Sequence, residues 1–242
     1  MQVKEKTMNR SLPLDKVRKF VKRYYAERHN PALNFHTYNR AKSVVKATEK
    51  IASQYELSKE DQFVLFAAGW FHSIGYLINK DDPQAAGADL AVKFFTSKQI
   101  DSFQIDRIAA VIKAPLQTEY SEDILIRILL DAIFYYLGTK SCLKKIELQR
   151  KEQEWLFGID INKTDWLSGS YECVAGYKFH TICTLERLKR GVDKNLEKLR
   201  QELADRLIIN EEKSIITESS IGKKKTRDAR KRYRDNVSDR RR

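Results

Sequence analysis

The sequence predicts an all-α protein, and three observations carry that prediction. Apolar residues recur at i, i+3 and i+4 through most of the chain, the spacing of one helical face. Only nine glycines and four prolines punctuate its 242 residues, too few breakers for a fold of many short strands. No run alternates apolar and polar residues well enough to make a half-buried strand. With 42% hydrophobic and 33% charged residues, the chain reads as globular and long enough to bury a core.

The elements follow in order. Pro13 precedes Leu14, Val17, Phe20, Val21 and Tyr24, which share one face of a first helix broken by His29-Asn30-Pro31. A second helix begins after Phe35-His36, buries Ala41, Val44, Val45, Thr48, Ile51 and Ala52, and ends near Tyr55. Ser58 followed by Asp61 is an acidic variant of the capping box and opens a third helix. That helix contains Phe63 to Leu77, the most apolar run in the chain, so it belongs at the centre of the core. Gly75 ends it or lets another backbone approach closely.

After the loop Lys80-Asp81-Asp82-Pro83, an alanine-rich helix turns Ala85, Ala88, Leu90, Ala91, Phe94 and Phe95 inward. A short helix over 101–114 packs Phe103, Ile105, Ile108, Val111 and Ile112, and stops before Pro115. SEDILIRILLDAIFYYLG is a second strongly buried helix whose one inward acid is Asp131. Two helices over 140–157 and 161–176 carry Trp155 and Trp166. A long last helix over 184–207 carries Leu185, Leu188, Leu196, Leu199 and Leu203.

The net charge of +13 is unevenly spread. Residues 223–242 hold eleven Lys/Arg and three Asp/Glu, so +8 belongs to the tail and +5 to the remainder. The expected organisation is one helical domain over 1–209 and a basic, flexible extension over 210–242. Such a tail could meet nucleic acid or an anionic membrane, although its one aromatic, Tyr233, gives little for bases to stack on. Cys142, Cys173 and Cys183 form no CxxC pair and read as reduced thiols. No apolar run approaches the length of a membrane span, and no signal-peptide core is visible. The expected location is the cytoplasm.

Two buried helices each present one polar residue, His72 and Asp131. Each needs a partner, because an unsatisfied buried polar group costs roughly 1–3 kcal/mol. Converging, they would begin a metal or acid–base site; apart, each would be hydrogen-bonded separately. Phosphate-binding glycine loops, a GxSxG elbow and a plausible Cys–His pair are all missing from the sequence.

FHTYNRAKSVV, LFAAGWFHSIGYL and LLDAIFYYLG resemble three landmarks of the HD-domain superfamily, all-helical metal-dependent phosphohydrolases. The block YKFHTICTLERLKRGVDKNLEKL, with Lys194-Asn195-Leu196, resembles the C-terminal helix of one subgroup. The likeness spans about residues 30–200 and implies an HD-like helical bundle. In the family, four side chains hold one or two metals that activate water against a phosphate ester. Here His72 matches the histidine of the His-Asp doublet, and Ser73 stands where its aspartate would be. Asp131 matches the distant aspartate, and His36 the first histidine of the subgroup motif. Arg40 falls on the metal-binding histidine. A fixed cation there repels a dication.

The resemblance therefore implies a degenerate HD domain, weakly active or inactive, that binds a nucleotide, another phosphate ligand or a signalling partner without a cofactor. Arg40 is expected to replace the metal's charge by pairing with Asp131. Arg40, Ser73, Lys113, His180 and Lys194 are the expected cleft and phosphate contacts, against plainer roles as surface lysines and a structural histidine. The alternative is an active phosphohydrolase in which His36, His72 and Asp131 hold Mn, Zn, Fe or Mg with an open position for water. In that reading His36 is a ligand; otherwise it caps its helix or lies at the surface. A third reading makes the domain a scaffold for the basic tail.

Overall fold

The computed structural model describes residues 14–114 and 121–209, and every regular element among them is helical. The helices are α1 (Leu14–Glu27), α2 (Tyr38–Ala52), α3 (Lys59–Phe71), α4 (Pro83–Thr96), α5 (Ser102–Lys113), α6 (Ile124–Phe134), α7 (Cys142–Phe157) and α8 (Lys163–Gly176). A further helix, α9, covers residues 182–209. No helix among the described residues is long and apolar enough to cross a membrane. The expected basic tail and its boundary at 210 lie outside the described residues.

α3 is the central element. Phe63, Val64, Leu65, Ala67, Ala68, Gly69, Trp70 and Phe71 are all buried, and α1, α2, α4, α5 and α6 pack around it. The Ser58 hydroxyl caps its start, accepting from the Asp61 N–H at 3.0 Å and donating to the Asp61 carboxylate at 2.9 Å. The six inward positions expected of α2 are buried as well. A second apolar cluster joins Phe35, Tyr136, Leu137, Cys142, Ile146, Leu167, Val174 and Leu199, where α7, α8 and α9 meet.

Three expectations need correction. α3 stops at Phe71, and Ile74–Leu77 form a separate 3-10 turn. The tighter turn lets Gly75 meet α4 so closely that a Cβ would strike the Pro83 carbonyl. Phe103 points outward and is 69% exposed, because it sits in the first turn of α5, beyond the neighbouring helices. There the Asp101 carboxylate caps it from 3.0 Å, and Gln104 and Ile105 take the inward positions. Leu185 is 45% exposed; α9 seats itself instead through Leu188 and Leu199, both buried.

α9 is held against the 3-10 turn Tyr135–Gly138 by backbone proximity. A Cβ on Gly191 would collide with the Gly138 carbonyl. Beside it the Asn195 amide donates to the Leu137 and Thr139 carbonyls at 2.7 and 2.9 Å.

Gly191→Ala should therefore destabilise the protein by roughly 1–3 kcal/mol, the range for overpacking. Gly169→Ala, within α8 and with open space at its Cβ position, should gain about 0.5–1 kcal/mol from helix propensity. Urea denaturation of the two variants checks the contrast, and equal effects would contradict the packing described.

Candidate functional site

The site is built where the start of α2 meets the end of α6. The Thr37 hydroxyl accepts the Arg40 N–H at 3.2 Å, fixing the first turn of α2 and directing Arg40 toward α6. The Arg40 guanidinium is 7% exposed. Its Nη2 donates to the Ile133 carbonyl, one of the carbonyls a helix leaves unsatisfied at its C-terminal end. The Phe35 and Tyr136 rings lie 4.9 Å from it, a cation–π arrangement. Among the described residues its Nε has no partner, and no carboxylate forms an ion pair with it. Burial pulls Arg40 down to about 10, so it remains a cation at neutral pH.

A cavity of about 70 Å³ opens beside this group. Its polar wall is His36, Arg40, His72, Tyr76, Gln84 and Gln149, and the rest is largely apolar, from α5 and α6. No carboxylate lines it among the described residues. Burial, followed by the Arg40 charge, pulls His72 down to about 3. Its Nδ1 donates to the Gly69 carbonyl at 2.7 Å, leaving Nε2 as an acceptor. Lys145, 5.4 Å from the Tyr136 ring, is pulled down to about 8 by burial and by Arg40. At neutral pH the pocket is therefore positive, with its histidines neutral.

Glu152, which the sequence did not single out, holds the approach to this site. It is 1% exposed, and its Oε2 accepts the Phe35 and His36 N–H groups at 2.6 and 2.9 Å. Its Oε1 accepts from His36 Nδ1, and the His36 ring stacks on Tyr76 at 3.5 Å. Burial opposes ionisation of Glu152, but the His36 ring and these two N–H groups outweigh it and hold the carboxyl below its usual range. Burial keeps His36 below the ordinary imidazole value despite Glu152. The pair is thus carboxylate and neutral imidazole.

Asp131 does not pair with Arg40 as expected. It is fully buried and turned toward the start of α9. Its carboxylate accepts the His180 and Thr181 N–H groups, each at 2.9 Å, and the Thr181 and Tyr177 hydroxyls at 2.5 and 3.4 Å. Four donors saturate it at a helix N-terminus, where a negative charge is favoured. Burial nevertheless pushes its carboxyl above the ordinary value.

The other expected residues scatter. Ser73 lines the cavity, but its hydroxyl is paired with the Tyr25 hydroxyl at 3.2 Å. Lys113 pairs with Asp89 at 3.5 Å, half exposed. Lys194 is exposed, and its neighbour Asn195 makes the buried contacts. His180 is structural: its carbonyl accepts two N–H groups of Arg127 at 2.9 and 2.6 Å. Of the three proposed metal ligands, Asp131 is turned away to 177–181, while His36 and His72 use Nδ1 for Glu152 and the Gly69 carbonyl and keep Nε2. No group of three or more His, Cys, Asp or Glu among the described residues is arranged to hold a metal. The Arg40 cation lines the same cavity as both histidines and would repel a dication there. The donor set does not fit a metal centre.

No protein family, curated protein or solved structure matches this chain.

Glu152→Gln should cost about 1–3 kcal/mol, because an amide cannot accept all three N–H groups and leaves a buried donor unpaired. A urea midpoint near that of the wild type would contradict the role given to Glu152. The histidines predict a pH dependence. Both have folded values below that of the unfolded chain, so the unfolded chain binds more protons in acid. Stability is fully present above pH 6.5 and falls as pH drops toward 3, the His72 value. His72→Gln should flatten part of that slope between pH 6.5 and 4. An unchanged slope would contradict the burial assigned to this ring.

Proposed function

We propose that this chain is an HD-like domain that has given up metal-dependent hydrolysis and binds a phosphate group in its former catalytic cleft. The observation that carries the reading is Arg40, a buried guanidinium with, among the described residues, a free Nε and no ion-pair partner, and with a cavity beside it. A buried charge without a counterion is costly, and an anionic ligand removes that cost. Arginine's planar fork suits a phosphoryl or other oxyanion. His72 Nε2, Tyr76, Gln84 and Gln149 surround the space with neutral polar groups.

Size narrows the ligand. A cavity of about 70 Å³ is far below the ~300–1,000 Å³ of a site that engulfs a drug-sized molecule. It suits inorganic phosphate or the terminal phosphoryl group of a larger molecule. A nucleotide would enter by its phosphate and leave its base outside this space. The order of the sequence blocks supports the HD-like reading; the donor set argues against the metal-dependent alternative.

Thermal unfolding with inorganic phosphate tests the proposal. At a ligand concentration of 100 Kd the gain is about 2.7 kcal/mol, or roughly 5–10 °C for a domain of this size. Wild type should show that rise and Arg40→Met should not. Without ligand, Arg40→Met should unfold at or above the wild-type temperature, since it removes an uncompensated buried charge. Equal phosphate shifts in both proteins, or none in either, would overturn the reading.

A further inference from the structure

A second concave surface shares no residue with the Arg40 cavity. It is a groove of about 680 Å³ between α1 and α4, lined by Lys16, Lys19, Phe20, Arg23, Leu90, Lys93, Phe94, Ser97 and Lys98. Five of those nine side chains are cationic and none is acidic. The floor is Phe20, Leu90 and Phe94, with the two rings 4.3 Å apart. Phe20 also stacks on Phe71 of the core at 5.9 Å, so the floor is rigid.

The rim is poorly neutralised. Lys19 reaches Asp15 at 2.8 Å and Arg23 reaches Glu27 at 3.6 Å. Both pairs are exposed, lie along one helix and hold their cations weakly. Lys16, Lys93 and Lys98 have no carboxylate partner among the described residues. On α4, Asp89 is drawn away to Lys113 at 3.5 Å. Lys16, Lys19 and Arg23 stand at i, i+3 and i+7 on α1, a row about 10 Å long at 1.5 Å per residue.

We infer that this groove docks an acidic amphipathic helix of a partner protein. Two turns of such a helix carry carboxylates at the same i, i+3 and i+7 spacing, and its apolar face would rest on Phe20, Leu90 and Phe94. This is the helix-in-groove mode with charge complementarity at the rim. The aromatic floor fits a peptide better than a nucleic acid. Phe20 already stacks on Phe71 and packs against Phe94, so with Leu90 the floor offers apolar side-chain contact rather than an open ring face for a base. A flat lipid surface would meet the rim cations but not fill a concave floor.

The test uses the full chain and a fluorescein-labelled helical peptide of about 16 residues. The peptide bears Glu at i, i+3 and i+7 on one side and Leu and Phe on the adjoining face. A second peptide keeps the acids and replaces the apolar anchors with Ser. Binding is read by fluorescence anisotropy against wild type and Lys16→Glu/Arg23→Glu/Lys93→Glu. The basic run 223–242 is present in both proteins, so attraction to it cancels.

Wild type should bind the anchored peptide with a Kd of about 10 μM. The triple variant should bind it at least ~10-fold more weakly, with an unchanged circular dichroism spectrum and melting temperature, because all three side chains are exposed. The Ser peptide should lose at least ~10-fold on wild type. Equal binding of the anchored peptide to both proteins would overturn the inference. So would equal binding of the two peptides, or a loss of duplex RNA or phosphatidylserine-vesicle binding on the triple variant as large as that of the anchored peptide. Failure of phosphate to stabilise wild type would leave this inference standing, since the groove and the cavity are separate.

Discussion

The structure around the cleft depends on one buried charge that no carboxylate among the described residues neutralises. Arg40 spends one N–H on the α6 terminus and rests between Phe35 and Tyr136. Its field reaches outward: it helps keep His72 and His36 neutral and lowers Lys145. The Glu152 carboxylate, at the approach to the site, is committed to the His36 ring and two backbone N–H groups. The cleft has therefore kept a cation, an empty volume and neutral polar walls. That combination is unfavourable alone and favourable with an oxyanion present.

Asp131 illustrates the same economy from the acidic side. The Asp131 carboxylate anchors the segment 177–181 and the start of α9. Arg127 holds the same segment by the His180 carbonyl, so an acid and a base clamp opposite polar groups of one short stretch. Gly138 and Gly191 then bring α9 onto the end of α6. The polar residues of the two most apolar helices are thus satisfied locally and separately, the plainer of the two sequence readings.

Much of the fold was legible because it rests on local chemistry. Helical spacing located the buried face of α2, and the Ser58–Asp61 pattern located the start of α3. Gly75 read either as a helix end or as a close backbone approach, and it is the second: α3 stops earlier, at Phe71, and Gly75 meets the Pro83 carbonyl. Arg40 was legible as well, since a fixed position in the first turn of α2 implies where its side chain points. Its partner was not. Whether it meets Asp131 or the Ile133 carbonyl depends on which way one carboxylate turns, and segment 177–181 decides that. Glu152 was invisible for a related reason. It sits in KKIELQRKEQEWLF, where nothing distinguishes an inward acid from its exposed neighbours. Its burial arises from contact with residues more than a hundred positions away. Phe103 misled because periodicity assigns a face but does not say whether another helix extends far enough to cover it.

The most direct measurement of the central claim is an NMR titration of the arginine Nε–H resonances with inorganic phosphate, assigned by comparison with Arg40→Met. The one Nε–H resonance missing from the variant should move saturably as phosphate is added, while those of the other arginines, the buried Arg206 Nε included, drift only weakly. If the Arg40 resonance stays fixed to about 50 mM phosphate, far above the Kd a useful phosphate site needs, the cleft is not an anion site. The buried charge would then need another explanation.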